Sequence, residues 1–354
     1  MNERLTATER LTPPWQQRVG SQRDWVWRGW QTRYTYIRPQ NIRPQNIRPQ
    51  NSQSQSIGSQ NISSQNISSQ TDDTEPPLLL LHGFGASIGH WRQNLSVLAE
   101  HHTVYALDML GFGASEKAIA PYNISLWVEQ VYEFWQTFVR VPIVLIGNSI
   151  GSLVCVAAAA AHPDMVRGIA MLSLPDPSIE QEMIPEPMRP VVNTIKSWVA
   201  SPLLLNQLFK FARNPKGTKR WAAIAYANPE SVTDELVEIL VDAANDRGSA
   251  QAFCAILRAI ISPDFGPSVK KILPELKIPM LLVWGTKDRM IPASLASQFA
   301  SYNPRLKLVK IDAGHCLHDE APEQVNPEIL NWIASWRDHP LGDSSENNAI
   351  PLSM

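Results

Sequence analysis

The chain has 354 residues, of which 44% are apolar and 18% charged, and its formal net charge is -2. This composition predicts a globular core and excludes a charge-rich disordered polymer and a basic protein that binds nucleic acid. The cysteines, Cys155, Cys254 and Cys316, are too scattered for a disulfide framework or a structural zinc site. We therefore expect a reducing, cytoplasmic compartment, and the charged N-terminus does not resemble a signal peptide.

Residues 1–24 are predicted to be an N-terminal extension and residues 25–37 the early strands of the core. The segment WVWRGWQTRYTYI alternates aromatic and polar residues around Gly29, a pattern typical of a hairpin. Residues 38–75 contain the repeat IRPQN, whose five-residue period fits neither a helix nor a strand. We expect a disordered insert there, with a weak electrostatic tether to an anionic membrane through Arg38, Arg43 and Arg48 as the functional alternative.

After the insert, short apolar runs alternate with helical patterns, which predicts a parallel sheet covered by helices on both faces. The runs assign residues 76–174 and 275–338 to the core, 175–274 to an inserted helical region and 339–354 to a flexible tail. Strand-like runs lie at 78–81, 103–107, 143–146, 168–174, 280–284 and 306–311. Helix-like runs lie at 91–99, 124–139, 150–161, 292–300 and 322–336.

Residues 141–161 contain no charged side chain and are long enough to cross a bilayer. Pro142, Gly147 and Gly151 divide this stretch into a strand-like run and a helix-like run, so we interpret it as part of the core.

The sequence GNSIG at residues 147–151 is a GxSxG motif that directly follows a buried strand and directly precedes an Ala-rich helix. A sharp turn there would expose the Ser149 hydroxyl at the carboxyl edge of the sheet. A Ser hydroxyl is a poor nucleophile, so it needs a base and an acid that orients the base. Ser149 is therefore the predicted nucleophile.

His315 is the predicted base and Asp288 the predicted acid, because each follows a predicted strand by four residues. His318 is a rival base, although it is better interpreted as the start of the last helix. Asp176 is a rival acid at the point where the insertion begins. His82 is interpreted as a brace for its loop and Asp108 as part of a structural turn.

The oxyanion formed by Ser149 needs hydrogen-bond donors. The backbone N–H of Ile150 at the helix start and that of Phe84 in the loop HGFG are the predicted donors. Predicted substrate contacts are Phe84, Met183, Trp198, Phe209 and Trp221, because the inserted region is rich in apolar and aromatic residues. The alternative is that these side chains only pack that region against the core.

Over residues 78 to about 336 the chain resembles the α/β-hydrolase superfamily, since HGFG, DMLGFGAS, GNSIGS, GTKD and GHCLHDEAPEQVN occur in the family's order. The resemblance implies an α/β fold with a mostly parallel sheet of about eight strands, helices on both faces and a helical cap at 175–274. GNSIGSLVCVAAAA and GHCLHDEAPEQVN look most like the branch containing pheophytinase and chlorophyll dephytylase. That branch implies peripheral contact with a thylakoid membrane.

The expected function is a serine esterase for a small hydrophobic ester, with the phytyl ester of chlorophyll or pheophytin as a candidate. Alternatives are a cofactor-free haloperoxidase or perhydrolase, an acyltransferase or a C–C bond hydrolase on the same triad, and a non-catalytic ligand receptor. We expect no cofactor, no metal and no nucleic-acid partner, and the sequence predicts no particular oligomeric state.

Overall fold

The computed structural model describes residues 13–39, 75–178, 201–262 and 264–337. An eight-stranded sheet runs through these residues in the order β1-β2-β4-β3-β5-β6-β7-β8. The strand β2 pairs antiparallel with β1 and β4, and all other pairs are parallel. The strands are β1 (Gln22–Trp27), β2 (Trp30–Ile37), β3 (Leu78–Leu81), β4 (Val104–Leu107), β5 (Ile143–Asn148), β6 (Val166–Leu172), β7 (Met280–Gly285) and β8 (Leu306–Ile311). The predicted fold class is therefore confirmed.

Helices cover both faces of the sheet because successive strand residues point to opposite sides. In β3, Leu78 and Leu80 join one apolar cluster, whereas Leu79 and Leu81 join the other. The α-helices in the described residues are α1 (Trp15–Arg18), α2 (Leu95–Leu98), α3 (Ile124–Phe134), α4 (Ile150–Ala161), α5 (Pro202–Ala212), α6 (Pro215–Ala225), α7 (Asp234–Ala244), α8 (Ser249–Ile260), α9 (Val269–Ile272), α10 (Ser294–Ala300), α11 (Leu317–Glu320) and α12 (Pro322–Arg337).

The early core begins before the predicted boundary at residue 25. β1 starts at Gln22, and Trp15 of the preceding α1 packs against the apolar cluster that contains Leu78 and Leu80. Val19 is fully buried and Arg18 forms an ion pair with Glu235 of α7. The described part of the predicted extension is thus docked on both the core and the cap, because an apolar contact and an ion pair hold it there.

The uncharged stretch at residues 141–161 forms β5 and α4, which are separated by the turn at Ser149. Within the described residues, no helix has the length and apolar character needed to span a membrane.

The cap contributes α5 to α8 over the carboxyl edge of the sheet, and its last part returns to the core. Ile256 of α8, Val269 of α9 and Leu273 are buried in the same cluster as the β3 residues Leu79 and Leu81. The last part of the helical region expected at residues 175–274 therefore packs in the core of the sheet domain and does not belong to the cap alone.

The segment at residues 38–75 connects two strands, β2 and β3, that flank the same strand β4. Ile37, the last residue of β2, pairs with Val104, and Leu78, the first residue of β3, pairs with Val104 from the other side. The two attachment points are therefore two strand spacings apart, about 10 Å. They lie at the amino edge of the parallel strands, opposite the edge where the carboxyl ends converge. Most of the repeat, including Arg43 and Arg48, lies outside the described residues.

Candidate active site

The turn between β5 and α4 holds Ser149 in a strained backbone conformation. Its φ is 54° and its ψ is -119°, a region that L-residues rarely occupy. Two glycines make the turn sterically feasible. A Cβ on Gly147 would lie 2.3 Å from the backbone of Gly151, and a Cβ on Gly151 would lie 2.2 Å from the carbonyl oxygen of Leu81. The GxSxG spacing is therefore a packing requirement as well as a motif.

His315 and Asp288 meet at the same edge of the sheet. His315 follows β8 and Asp288 follows β7, and the His315 Nδ1 lies 2.9 Å from the Asp288 Oδ2. The other carboxylate oxygen of Asp288 accepts the backbone N–H groups of Met290 and Ile291 at 2.8 and 2.9 Å. Burial alone would raise the pKa of Asp288, but the hydrogen bond and charge of His315 and these backbone donors hold it below its ordinary value. Asp288 is thus an ionised acceptor that selects the His315 tautomer protonated at Nδ1.

The backbone around His315 is fixed from three sides. Its N–H donates to the Ala225 carbonyl oxygen at 2.6 Å, and its carbonyl accepts the Asn148 side-chain amide at 3.1 Å. One residue earlier, the N–H of Gly314 donates to the Glu320 carboxylate at 2.8 Å. The end of α6 in the cap, the residue before Ser149 and α11 therefore all position the histidine.

Ser149 and His315 line one cavity, but no hydrogen bond joins their side chains in the described part of the chain. Hydrogen bonds of this kind are often long in ligand-free enzymes and tighten when substrate binds. The structure thus brings together His315 and Asp288 by direct contact, and Ser149 by a shared cavity.

The loop that carries Phe84 passes directly beside the Ser149 turn. A Cβ on Gly83 would lie 3.0 Å from the Asn148 Oδ1 and 3.3 Å from the Ser149 Cβ, so a larger residue would crowd the turn. Phe84 also lines the cavity. The N–H of Ile150, at the first position of α4, has no partner within its helix. The residues that carry both predicted oxyanion donors therefore lie beside the Ser149 turn, and the role of their N–H groups stays a prediction.

His82 braces this loop against the chain that follows β4. Its Nε2 accepts the Met109 N–H at 3.1 Å, so its Nδ1 carries the proton and donates to the Gly83 carbonyl oxygen at 2.8 Å. Burial lowers the pKa of His82 to about 4. Next to it, the Asp108 carboxylate accepts the N–H groups of Ile88 and Ala114 at 2.6 and 2.7 Å. The His82 and Asp108 side chains therefore hold backbone groups of the surrounding loops in place, as the sequence predicts.

The rival residues lie in other environments. Asp176 accepts the N–H and the hydroxyl of Ser178 at 2.9 and 2.7 Å and is not hydrogen-bonded to a histidine among the described residues. His318 is fully buried, with its ring 4.2 Å from that of Trp91 between centroids. Burial lowers the pKa of His318 well below its ordinary value. Neither residue lines the cavity that contains Ser149.

A buried polar chain that the sequence reasoning missed forms one wall of the cavity. The Tyr226 hydroxyl donates to Asp319 at 2.7 Å and accepts from the His90 Nε2 at 2.9 Å. Arg92 pairs with the same carboxylate group at 2.6 Å. Burial lowers the pKa of His90 to about 4, so this ring is neutral at ordinary pH. Only the spatial neighbourhood of α6 and α11 shows this chain, because its members are far apart in sequence.

The cavity at the Ser149 turn encloses about 150 Å³ and has a predominantly apolar lining. Of the predicted substrate contacts, Phe84, Phe209 and Trp221 line it, whereas Met183 and Trp198 lie outside the described residues. Sequence reasoning missed Leu240, Phe253 and Met290. The Phe253 ring of α8 packs at a tilt against Phe84 and Phe209, with centroid distances of 5.6 and 5.3 Å. The same ring borders a second cavity of about 60 Å³, so it forms part of the wall between the two.

The chain belongs to the α/β-hydrolase fold family, whose profile matches residues 76–322. Curated relatives include the dihydrolipoyllysine-residue acetyltransferase component of an acetoin cleaving system from Pseudomonas putida, 28% identical over 73% of this chain and 63% of its own length. Pheophytinase from Arabidopsis thaliana is 24% identical over 73% of this chain and 61% of its own length. The chain thus spans less than two thirds of both proteins.

A third relative is the 2-hydroxy-6-oxo-6-(2'-aminophenyl)hexa-2,4-dienoic acid hydrolase of Metapseudomonas resinovorans, 23% identical over 73% of this chain and 84% of its own length. Among solved structures, a serine hydrolase involved in carbazole degradation superimposes with a TM-score of 0.65 at 17% identity, covering 89% of this chain and 99% of its own. The superfamily resemblance is therefore confirmed. The pheophytinase branch stays a prediction, because hydrolases outside it match at similar identity.

Proposed function

We propose that the protein is a serine hydrolase that cleaves a neutral, apolar carboxylic ester through an acyl-enzyme. The observation that carries the proposal is the placement of Ser149, on a strained turn, in the same cavity as His315, whose Nδ1 is hydrogen-bonded to Asp288. The nucleophile Ser149, the orienting acid Asp288 and the base His315 follow one another in the chain order of α/β-hydrolases.

The reaction begins when the Ser149 Oγ attacks the ester carbonyl carbon and His315 takes the hydroxyl proton at Nε2. Asp288 holds the ring and stabilises the imidazolium. The Ile150 and Phe84 N–H groups donate to the oxyanion. His315 then returns the proton to the departing alcohol, and a water molecule activated by the same ring releases the carboxylic acid.

The lining of the cavity favours a neutral substrate. No Lys, Arg, Asp or Glu lines it within the described part of the chain, and the His90 wall is held neutral by burial. An ionised substrate would lose its hydration there without gaining a partner of opposite charge. This argues against an acid such as the one named for the Metapseudomonas relative, and against a C–C bond hydrolase for acids of that kind.

The size of the cavity limits what fits beside Ser149. A cavity of about 150 Å³ is comparable to one that holds a benzene ring. A longer chain, such as the phytyl group of chlorophyll or pheophytin, would have to continue past Phe253 or out through the mouth. The phytyl ester remains our named candidate because of the pheophytinase relative, and each buried methylene would add about 0.8 kcal/mol to binding.

Two assays test the proposal. The first measures turnover of neutral p-nitrophenyl esters, with Ser149→Ala as the inactive control; a wild-type protein with no turnover would favour a non-catalytic receptor. The second incubates the active protein with chlorophyll and pheophytin in detergent. Release of phytol supports the named ester, whereas intact pigments beside rapid p-nitrophenyl ester hydrolysis would remove it. Products that change when alcohol is added would indicate acyl transfer.

A further inference from the structure

Several apolar side chains of the cap are exposed to solvent. Leu205 and Phe209 of α5 are buried, as expected for side chains that pack the cap or line a cleft. The others are accessible over a large fraction of their surface, with Leu203 at 82% and Ile224 at 50%. This set, which we call the cap face, comprises Leu203, Leu204 and Phe211 of α5 and Trp221 and Ile224 of α6.

The same two helices have a one-sided charge. Residues 201–225 contain five basic residues and no Asp or Glu, whereas the whole chain has a net charge of -2. All five are exposed, and Lys219 pairs with Asp234 of the neighbouring helix at 2.9 Å. The basic residues are Lys210, Arg213, Lys216, Lys219 and Arg220. Apolar side chains interspersed with basic ones are the pattern that binds an anionic membrane surface.

The cap face adjoins the mouth of the cavity. Trp221 of α6 and Met290 of the loop after β7 both line the cavity and are 38% and 48% exposed. The cavity therefore reaches solvent beside these two side chains. Ile224 is one helical turn from Trp221, so the exposed apolar surface continues outward from the mouth.

We propose that the cap face docks on an anionic lipid membrane, so that an apolar ester passes from the bilayer into the cavity. This inference rests on the proposed function, because the molecule that would pass from the membrane into the cavity is the ester substrate. The interfacial position would bury exposed apolar side chains and place the basic ones among lipid phosphates. An apolar ester is concentrated in the membrane, which explains why an opening to an apolar cavity is surrounded by such residues.

The repeat at residues 38–75 does not provide the same orientation. Its attachment points, Ile37 and Leu78, lie at the amino edge of the parallel strands, whereas Ser149 and the cavity lie at the carboxyl edge. Docking through the cap face thus presents the cavity mouth to the lipid, and a tether at the opposite edge is not required for it.

The test is co-sedimentation of the full chain with vesicles of phosphatidylcholine alone or mixed with phosphatidylglycerol. Wild-type protein should bind the anionic vesicles and bind neutral ones weakly. Lys216→Glu combined with Arg220→Glu should reduce anionic-vesicle binding about tenfold or more. Both residues lie on the exposed side of α6 and neither lines the cavity, so hydrolysis of a soluble p-nitrophenyl ester should be retained.

A matched control is Lys277→Glu combined with Arg305→Glu, which makes the same charge change at exposed positions before β7 and β8, at the other edge of the sheet. Binding should be unchanged in this control and in a chain lacking residues 40–74, and Ile224→Ser should weaken it. Equal loss in the control, loss only on deletion of 40–74, or no wild-type binding to anionic vesicles would overturn the proposal. A dimer abolished by Ile224→Ser without vesicle binding would instead assign the surface to a second copy.

Vesicle binding and ester turnover test the two proposals independently. Vesicle binding without turnover of any ester would leave the docking surface standing and remove the hydrolase proposal. Turnover of soluble esters without vesicle binding would do the reverse.

Discussion

His82 should make the fold less stable in mild acid, because the folded site disfavours protonation of its ring. Its Nε2 accepts the Met109 N–H, so protonation there would place two donors against each other inside a fully buried site. Burial accordingly lowers the pKa of His82 from 6.5 to about 4. The unfolded chain therefore binds a proton that the folded chain does not bind between these two values. Stability is complete above pH 6.5 and falls as the pH decreases toward 4.

The magnitude follows from the same two pKa values. A difference of about 2.5 pKa units corresponds to roughly 3 kcal/mol once the pH is below both values, of which about 2 kcal/mol is lost by pH 5. His90, whose pKa is also lowered to about 4 by burial, adds a fall of the same sign. Asp108 acts in the opposite direction, since burial raises its pKa to about 6 and its folded form binds the extra proton.

The assay is urea unfolding at pH 7 and pH 5, followed by tryptophan fluorescence. His82→Asn should be less stable at pH 7, because two loop hydrogen bonds are lost, but its loss of stability between the two pH values should be about 2 kcal/mol smaller than that of the wild type. His101→Asn, at an exposed position, is the control and should leave the loss unchanged. An identical pH dependence in wild type and His82→Asn would refute this reasoning.

Two other changes test the site, and a third tests the repeat at residues 38–75. Asp288→Asn should lower kcat for a p-nitrophenyl ester about 10⁴-fold by removing the acceptor that selects the His315 tautomer, while Asp176→Asn should leave it within a few-fold; the reverse ranking would reassign the acid. Phe253→Ala should open the 150 Å³ cavity toward its neighbour and raise kcat/KM for long-chain relative to short-chain esters, and an unchanged chain-length profile would contradict a role in that wall. Replacing residues 40–74 with a short linker should shift the melting temperature little, because about 10 Å must be spanned between Ile37 and Leu78; a large decrease would reveal packing by the repeat.

Sequence reasoning succeeded where steric or topological rules leave few options. The Ser149 turn follows from glycines whose replacement would bring atoms within about 2.3 Å of one another. Asp288 and His315 were located because parallel strands end at one edge, so residues just after β7 and β8 meet. Their hydrogen bond agrees with the expected pairing, although the catalytic role of the three residues stays a prediction.

The remaining parts of the site depend on tertiary contacts that no local pattern encodes. Tyr226 and His90 are separated by more than a hundred residues and meet only because the cap folds back over the sheet. Phe253 lies in an amphipathic helix, where an aromatic residue indicates burial but not which cavity it borders. Hydrophobicity likewise could not distinguish Phe209, which is buried, from Leu203, which is exposed, because both lie on α5.

The proposed mechanism requires that Ser149 is a nucleophile activated by His315 and Asp288. Incubation of the folded protein with a fluorophosphonate, followed by intact-mass measurement and peptide mapping, tests it directly. We predict one adduct, on Ser149, which is absent in Ser149→Ala, strongly slowed in His315→Ala and formed at nearly the normal rate in a folded His318→Ala variant. An adduct at another residue, or labelling of Ser149→Ala at the wild-type rate, would contradict the account.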